Sequence, residues 1–196
     1  KQVIRQIVDY AKMQALYRSR GFRPQKLGLN MVFLGGPGTG KTTLARMVAQ
    51  ILKEEGILTK GHLVETDRSG LVAGYVGQTA LKTRKVIDKA MGGVLFIDEA
   101  YALNGKSEND FGQEAIDTIL KAMEDHRDDL IVIVAGYTEL MEDFVQSNPG
   151  LESRFNRFLF FPDYTVEEMM GIFDMRCKGS SYELSEDARP LVRDYI

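Results

Sequence analysis

The sequence predicts an α/β fold in which a five-stranded parallel sheet is flanked by helices. Three observations favour this class. Short apolar runs alternate with segments that carry apolar residues at helical spacing, an order typical of parallel, doubly wound sheets. The runs Val94–Ile97 and 130–135 are unbroken apolar stretches, as expected for parallel strands buried on both faces. A glycine-rich loop at 35–40 joins the first apolar run to a helix-permissive segment.

Each element can be assigned in chain order from its apolar spacing and its flanking residues. A helix is predicted at 1–19, where one apolar stripe ends before Gly21 and Pro24. Further helices are predicted at 42–55, 79–91, around 116–123, at 138–147, after a capping box between Thr165 and Glu168, and after Ser185. Strands are predicted at 29–34, 62–66, 94–97, 130–135 and 158–161. The segment 67–79 is expected to be a glycine-rich loop, and 147–150 a turn.

Composition disfavours several classes of protein. With 196 residues, 44% apolar and 27% charged, the chain is typical of a globular protein that buries a sizeable core. No apolar run approaches the ~20 residues of a membrane span, and no signal peptide opens the sequence, so no membrane partner is expected. The lone Cys177 excludes an internal disulfide and indicates a reducing compartment, so a cytoplasmic location is predicted.

Charge and histidine content disfavour two kinds of site. The net charge is −3 and Lys and Arg form no block, which disfavours a nucleic-acid partner. His62 and His126 are isolated in the sequence and indicate no metal site.

The glycine-rich loop has the spacing of a phosphate-binding loop: Gly, four residues, then Gly-Lys-Thr. Polyphosphate carries dense negative charge, so backbone N–H groups must point at it, and only glycine lets the backbone approach closely. The helix that opens at Gly40 adds its positive dipole end. Lys41 can reach the β and γ phosphates, and the Thr42 hydroxyl can bind Mg²⁺. The predicted nucleotide-binding residues of this segment are Gly36, Pro37, Gly38, Thr39, Gly40, Lys41, Thr42 and Thr43.

Two acids follow the predicted strand 94–97, at the edge where ligands bind in parallel sheets. Asp98 is predicted to hold Mg²⁺ through its water shell, and Glu99 to polarise a water toward the γ-phosphate. A kinase needs no water-activating carboxylate, so the second acid favours hydrolysis. The sequence contains no Asn-Lys-x-Asp or Thr-Lys-x-Asp motif for reading guanine, which disfavours a GTPase.

Beyond these two motifs, the chain resembles the AAA+ ATPases of the CbbX and stage V sporulation protein K group across nearly its whole length. The residues that carry the resemblance are the phosphate loop, Phe96-Ile97-Asp98-Glu99-Ala100-Tyr101, Gly112-Gln113-Glu114-Ala115, Met123-Glu124-Asp125, Val134-Ala135-Gly136-Tyr137 and Ser147-Asn148-Pro149-Gly150-Leu151-x-Ser153-Arg154-Phe155. The resemblance implies a P-loop NTPase fold of AAA+ type and Mg²⁺-dependent ATP hydrolysis. It also implies a ring of identical chains, usually a hexamer, that threads or pulls a protein client through its central pore.

The resemblance assigns further roles by residue. Tyr75-Val76-Gly77 falls where this class places its pore loop, and a tyrosine between flexible glycines can grip an extended chain through apolar contact. Arg154 matches the arginine that such ATPases offer to a neighbour's γ-phosphate, and Arg157 is a second basic candidate. Many AAA+ proteins end the fourth strand with an asparagine that orients the attacking water. In this chain Ala135-Gly136-Tyr137-Thr138 stands at that position, so either Tyr137 or Thr138 serves or the role is lost, and Tyr137 is predicted to contact the nucleotide.

Residues 1–163 are predicted to form the nucleotide-binding core, and 164–196 to begin a helical lid whose arginine-bearing sensor is expected beyond Ile196. The function so predicted is an ATP-driven motor that remodels a protein client, which Tyr75 and Glu99 favour. The alternative is an ATP-dependent switch or scaffold that assembles without threading, which the changed sensor position favours. A nucleic-acid motor is a weaker third option because of the acidic charge balance. CbbX-like proteins act on red-type Rubisco, but no residue of this chain names its client.

Overall fold

The computed structural model describes residues 8–10, 12–13, 16–17, 19–22, 28–75, 77–105 and 110–196. The predicted helix at 1–19 lies partly outside these ranges, and the described residues 8–10, 12–13, 16–17 and 19 are helical. Val76 of the predicted pore loop and residues 106–109 also lie outside them. Within the described ranges, no helix has both the length and the apolar character that crossing a membrane requires.

Strands and helices alternate along the chain from residue 31. The strands are β1 (Met31–Leu34), β2 (Leu63–Thr66), β3 (Val94–Ile97), β4 (Ile131–Gly136) and β5 (Phe158–Phe160). The α-helices are α1 (Lys41–Glu54), α2 (Arg68–Leu71), α3 (Thr79–Ala90), α4 (Gly112–Asp125), α5 (Thr138–Gln146), α6 (Pro149–Arg154), α7 (Val166–Gly179) and α8 (Ala188–Tyr195). A 3₁₀ helix (Ala100–Leu103) follows β3.

The five strands form one parallel sheet in the order β2-β3-β4-β1-β5. The predicted five-stranded parallel sheet flanked by helices is therefore confirmed. Because the strands are parallel, the loops that follow β1, β2, β3 and β4 all leave the same edge, where ligands bind in such sheets. At the β5 side of the sheet, Phe158 and Phe160 are exposed on either side of the buried Leu159.

The two faces of the sheet bury alternate residues of each strand. Met31 and Phe33 of β1 pack on one face with residues of α1, whereas Val32 and Leu34 pack on the other with residues of α4 and α5. The residues that α1 contributes to the first face are Ala45, Val48, Ala49 and Leu52. Helices on both faces thus bury the sheet on both sides, which explains why β1 and β3 are apolar throughout.

Two segments predicted as a loop and a turn contain short helices. In the predicted loop 67–79, α2 forms because the Asp67 carboxylate caps it, accepting a hydrogen bond from the Gly70 amide. The prediction of a turn at 147–150 is wrong for its second half, where α6 begins. Asn148 Oδ1 accepts from the Gly150 amide at 2.8 Å, and Pro149 takes the first helical position.

The chain divides into two compact units, Lys1–Phe161 and Pro162–Ile196. The second unit contains α7 and α8. The predicted capping box opens α7, with the Thr165 hydroxyl accepting from the Glu168 amide and the Glu168 carboxylate accepting from the Thr165 amide. Arg189 of α8 pairs with Asp174 of α7 at 2.8 Å. The assignment of this unit to the beginning of a lid stays a prediction.

Asn30 connects β1 and β4 just before their backbone ladder begins. Asn30 is 9% exposed, and its Oδ1 accepts a hydrogen bond from the Val132 amide at 2.8 Å. Asn30→Ala should leave that buried N–H without an acceptor and lower the free energy of unfolding by about 1–3 kcal/mol. Urea denaturation followed by circular dichroism measures the loss. Asn156→Ala removes an exposed asparagine and serves as the control; equal losses in the two variants would contradict a role for the Asn30 bond.

Candidate active site

The chain enters the phosphate loop through Gly35, a position closed to any residue with a side chain. A Cβ there would lie 2.3 Å from the Phe161 carbonyl oxygen, and the backbone φ is 155°. The Gly35 amide donates to the Gly136 carbonyl at 3.0 Å. The start of the loop is therefore held between the end of β4 and the residue that follows β5.

The loop then turns through two glycines with left-handed backbone, Gly38 at φ 76° and Gly40 at φ 91°. Gly40 precedes α1, and no side chain caps the first turn of that helix. The first amides of α1 are thus available to an anion, and the helix dipole favours negative charge there. Among the described residues, no heavy atom lies within 4 Å of a Cβ built on Gly38, so the loop is open on that side. This geometry fits a polyphosphate.

Lys41 is the buried cation of the loop. The residue is 8% exposed, and its Nζ donates to the carbonyls of Gly35 at 3.0 Å and Gly36 at 2.6 Å. The hydroxyl of Thr39, also buried, donates to the Gly36 carbonyl at 2.9 Å. Because an ammonium group has three donors, two carbonyls position Lys41 without using its full capacity. The charge of Lys41 is therefore oriented within the loop and able to bind phosphate.

Thr42 meets an acid that the sequence interpretation missed. The Thr42 hydroxyl donates to Glu65 Oε1 at 3.3 Å, and Glu65 Oε2 pairs with Arg46 at 3.2 Å. Glu65 lies near the carboxyl end of β2, at the same edge as the phosphate loop, and this position was the signal that could have identified it. Thr43, predicted to bind nucleotide, is exposed in the first turn of α1.

Asp98 and Glu99 follow β3 at this edge. Asp98 is half-buried, and its Oδ1 accepts a hydrogen bond from the Glu99 amide at 3.1 Å. Glu99 is exposed and adopts a left-handed backbone with φ 48° and ψ 42°. That conformation costs a residue with a side chain roughly 1–3 kcal/mol, and such strain clusters at active sites. Since only β4 separates β1 from β3, the acids and the phosphate loop start about 10 Å apart across the sheet.

Tyr101 lies close to Glu99, and Tyr137 lies beside Tyr101. Burial, together with the charge of the Glu99 carboxylate and a hydrogen bond to it, raises the pKa of Tyr101. The ring centroids of Tyr101 and Tyr137 are 6.4 Å apart, and a Cβ on Gly136 would lie 2.7 Å from the Tyr101 ring. Tyr137 is exposed and immediately precedes α5, with Thr138 as the first residue of that helix. The predicted sensor position therefore lies beside Tyr101, to which the sequence interpretation gave no role.

The donors at this edge fit Mg²⁺ bound together with a nucleotide. Thr42 and Asp98 supply a hydroxyl and a carboxylate, the hard oxygen ligands that Mg²⁺ prefers. The described part of the chain contains no group of three or more His, Cys, Asp or Glu that could hold a metal ion. Mg²⁺ in proteins usually keeps several waters and is held by one or two side chains plus substrate phosphates. The two side chains are therefore sufficient only if phosphates complete the site.

Residues 31–163 match the model of the family described as "ATPase family associated with various cellular activities (AAA)". This chain belongs to the AAA family of ATPases. It is 44% identical to stage V sporulation protein K of Bacillus subtilis, covering all of this chain and 61% of that protein. It is 46% identical to the chromosomal protein CbxX of Cupriavidus necator, covering all of this chain and 62% of that protein. The predicted membership of the CbbX and stage V sporulation protein K group is confirmed.

Two further comparisons bear on this AAA domain. The chain is 45% identical to the chloroplastic ribulose bisphosphate carboxylase/oxygenase activase of Cyanidioschyzon merolae, over all of this chain and 67% of that protein. The crystal structure of the FIGL-1 AAA domain in complex with ADP superposes with a TM-score of 0.67 at 18% identity, covering 99% of this chain and 63% of that one. At that identity the likeness shows the fold alone, and it confirms the predicted P-loop fold of AAA type.

The tyrosine predicted for the pore loop of this AAA domain is exposed. Tyr75 is 74% exposed, and Gly77 has a left-handed backbone with φ 74°. The base of its loop is tied to α3, because the Ala73 amide donates to the Thr79 hydroxyl at 3.0 Å. The Tyr75 ring is thus presented to solvent from a restrained base.

The structure does not bring the predicted arginine into the phosphate loop of its own chain. Arg154 ends α6, where its Nη1 donates to the Gly150 carbonyl at 3.2 Å and the Ser153 hydroxyl at 3.4 Å. Its Nη2 pairs with Glu124 of α4 at 3.5 Å. Among the described residues, the buried Nε atoms of Arg154 and Arg157 have no hydrogen-bond partner.

Proposed function

We propose that this chain is the ATP-hydrolysing core of an AAA ring that remodels a protein client. The observation that carries the proposal is that a buried cation and an exposed acid lie at the same edge of the sheet. Lys41, a buried cation, follows β1, and Glu99, an exposed acid on a strained backbone, follows β3. A group that binds phosphate and a group that accepts a proton from water are the two parts that hydrolysis of a nucleoside triphosphate needs.

In this proposal the loop 36–40 and the first turn of α1 bind the phosphates through their amides, and Lys41 turns its ammonium toward them. Thr42 would hold Mg²⁺ through its hydroxyl, and Asp98 would hold it through the ion's water shell. When bound, the ion would neutralise part of the negative charge on the phosphate oxygens. Because the Thr42 hydroxyl donates its proton to Glu65, its lone pairs face away from that bond and can bind a cation.

Glu99 acts as the general base. Its carboxylate accepts a proton from the attacking water, the water oxygen bonds to the γ-phosphorus, and the bond to the β–γ bridging oxygen breaks. Tyr137 follows β4, the strand between those that carry Lys41 and Glu99. We assign it the orienting role that an asparagine has in many AAA+ proteins.

The ring and the client are properties of the whole protein, and this chain spans just over three-fifths of the length of the first two relatives. A third relative is named an activase of ribulose bisphosphate carboxylase/oxygenase, which is itself a protein, and this supports a protein client. In a homo-oligomeric ring, hexameric by family resemblance, the exposed Tyr75 grips the client in the pore. Since that relative is named chloroplastic, the cytoplasmic location of this chain stays a prediction.

A second candidate function is a switch or scaffold that binds ATP and assembles without pulling on a client. The observation that favours it is Tyr137 at the position where many AAA+ proteins carry an asparagine, because a changed sensor can uncouple binding from turnover. The Tyr75 variant described below separates the two candidates.

Glu99→Gln should leave ATP binding near normal while slowing hydrolysis by roughly 10²–10⁴-fold, because the amide cannot accept the proton of water. Phosphate release measures turnover, and calorimetry measures ATP affinity. The matched control is Glu142→Gln, an exposed glutamate on α5, which should hydrolyse ATP at the parent rate. Full turnover by the Glu99 variant would remove that residue from the mechanism.

Arg154 should act on the nucleotide of the neighbouring chain. A guanidinium beside the transferred phosphoryl group contributes ~10³–10⁵ in rate. Arg154→Ala and Glu99→Gln chains should therefore each be nearly inactive, yet recover activity when mixed. When equal amounts mix at random in a head-to-tail ring, about a quarter of the interfaces combine an intact Glu99 from one chain with an intact Arg154 from its neighbour. If proven co-assembly restores no activity, Arg154 serves its own chain or lies outside catalysis.

Tyr75→Ala should keep basal ATP turnover and abolish remodelling, since the ring contacts the client and no phosphate. Remodelling is measured on the protein that copurifies with the ATP-trapping Glu99→Gln form. Tyr182→Ala is the matched control, because Tyr182 is 72% exposed against 74% for Tyr75. Intact remodelling by the Tyr75 variant would favour the switch or scaffold.

A further inference from the structure

Arg68, the first residue of α2, joins that helix to the 3₁₀ helix after Glu99 and to Asp110. Its Nη1 donates to the Ala102 carbonyl at 2.7 Å, and its Nη2 pairs with Asp110 Oδ1 at 2.8 Å. The two side chains are only 34% and 16% exposed. Partial burial and the planar fork of the guanidinium make this a stronger link than an exposed ion pair.

Asp110, the acidic partner of Arg68, is held in place by a hydrogen bond and by close packing at the start of α4. Asp110 Oδ1 also accepts a hydrogen bond from the Gly112 amide at 2.7 Å, which joins it to the start of α4. A Cβ on Gly112 would lie 1.9 Å from the Leu103 carbonyl oxygen, so α4 begins against the end of the 3₁₀ helix. Burial alone would raise the pKa of Asp110, but the hydrogen bonds from Arg68 and Gly112 outweigh it and lower that pKa. Asp110 is therefore a charged anchor for Arg68.

Ala102 lies between Arg68 and Glu99 in a chain of hydrogen bonds. The Ala102 amide donates to the Glu99 carbonyl at 2.8 Å, and the Ala102 carbonyl accepts from Arg68. A change in the left-handed backbone of Glu99 would consequently shift the backbone of Ala102, including its carbonyl. Arg68 would then move with it or lose its hydrogen bond.

Helix α2, which begins at Arg68, leads directly into the loop that carries Tyr75. The Val72 amide donates to the Arg68 carbonyl at 2.9 Å, and Lys82 Nζ donates to the carbonyls of Ser69 at 2.6 Å and Val72 at 2.9 Å. These bonds hold α2 and the base of the Tyr75 loop together. A cleft of about 470 Å³ lies between this segment and the turn after β3, and its lining includes Arg68, Val72, Gly74 and Glu99. The cleft leaves room for α2 and the loop base to shift together.

We propose that Arg68 is a positioning residue that transmits the nucleotide-dependent conformation of Glu99 to the loop carrying Tyr75. The proposal rests on the proposed function, because it concerns how grip on a client follows the state of the nucleotide. In this proposal the turn from Glu99 to Ala102 changes conformation with the bound nucleotide. Among the side-chain hydrogen bonds of the described residues named above, the bond from Arg68 is the one that links this turn to α2.

Hydrogen–deuterium exchange of peptides covering 72–78, in the full-length assembled protein, tests the link. Exchange is compared between Mg²⁺ with a non-hydrolysable ATP analogue and Mg²⁺ with ADP. In the parent the two rates should differ by roughly 5- to 150-fold, the usual range of coupling between two sites. In Arg68→Gln the rates should become equal while affinity for both nucleotides stays at the parent value. Arg84→Gln, an exposed arginine on α3, should keep the parent difference.

A merely structural role for Arg68 predicts a different result. It would raise exchange equally with both nucleotides and leave their ratio unchanged, which would overturn the proposal. A parent without any nucleotide-dependent difference would also overturn it. If Arg68→Gln fails to fold, Arg68→Lys replaces it, since a single ammonium cannot span Ala102 and Asp110 as the fork does; an undiminished ratio in that variant overturns the link. Failure of the parent to bind nucleotide overturns the proposed function as well, and calorimetry distinguishes that outcome.

Discussion

The approach of three backbone segments at Gly35 is the constraint on which the site depends. The Leu34 carbonyl accepts from the Phe161 amide at 2.7 Å, and the Gly35 amide donates to the Gly136 carbonyl at 3.0 Å. The carbonyls that follow, those of Gly35 and Gly36, are the ones that hold Lys41. The position of the lysine ammonium is therefore set by the register of the sheet as much as by the loop itself. Strand β5, only three residues long, thereby fixes one side of the proposed nucleotide site.

The phosphate loop and the acids after β3 could be predicted because each depends on residues that are neighbours in the chain. The spacing and flanking elements of Gly40 and Lys41 predict the first motif, and an apolar run followed by Asp98 and Glu99 predicts the second. The structure places both at one edge of the sheet, and their roles stay predictions. The sheet could be predicted for the same reason, since strands buried on both faces are apolar throughout.

What sequence reasoning missed depends on contacts between distant residues or on competing local signals. The Thr42–Glu65 bond joins positions 23 apart, and the Arg68–Asp110 pair joins positions 42 apart. Neither pairing leaves a pattern in a single sequence. At 148–150 two local signals compete, because Asn-Pro-Gly suits both a turn and the start of a helix. Burial of Leu151 in the core favours the helix, and that burial is a tertiary effect.

The exposed pair of phenylalanines at the β5 side of the sheet has a consequence for handling the isolated chain. Phe158 and Phe160 flank Leu159 in β5 itself, which is an edge strand of the sheet, and both rings are exposed. Apolar strands at such margins are templates for sticking to other chains. The shortness of β5 limits that hazard, but two exposed phenylalanines on one edge strand still offer an apolar surface for another chain to pair with. The other edge strand, β2, ends in the polar residues Glu65 and Thr66 and lacks this feature.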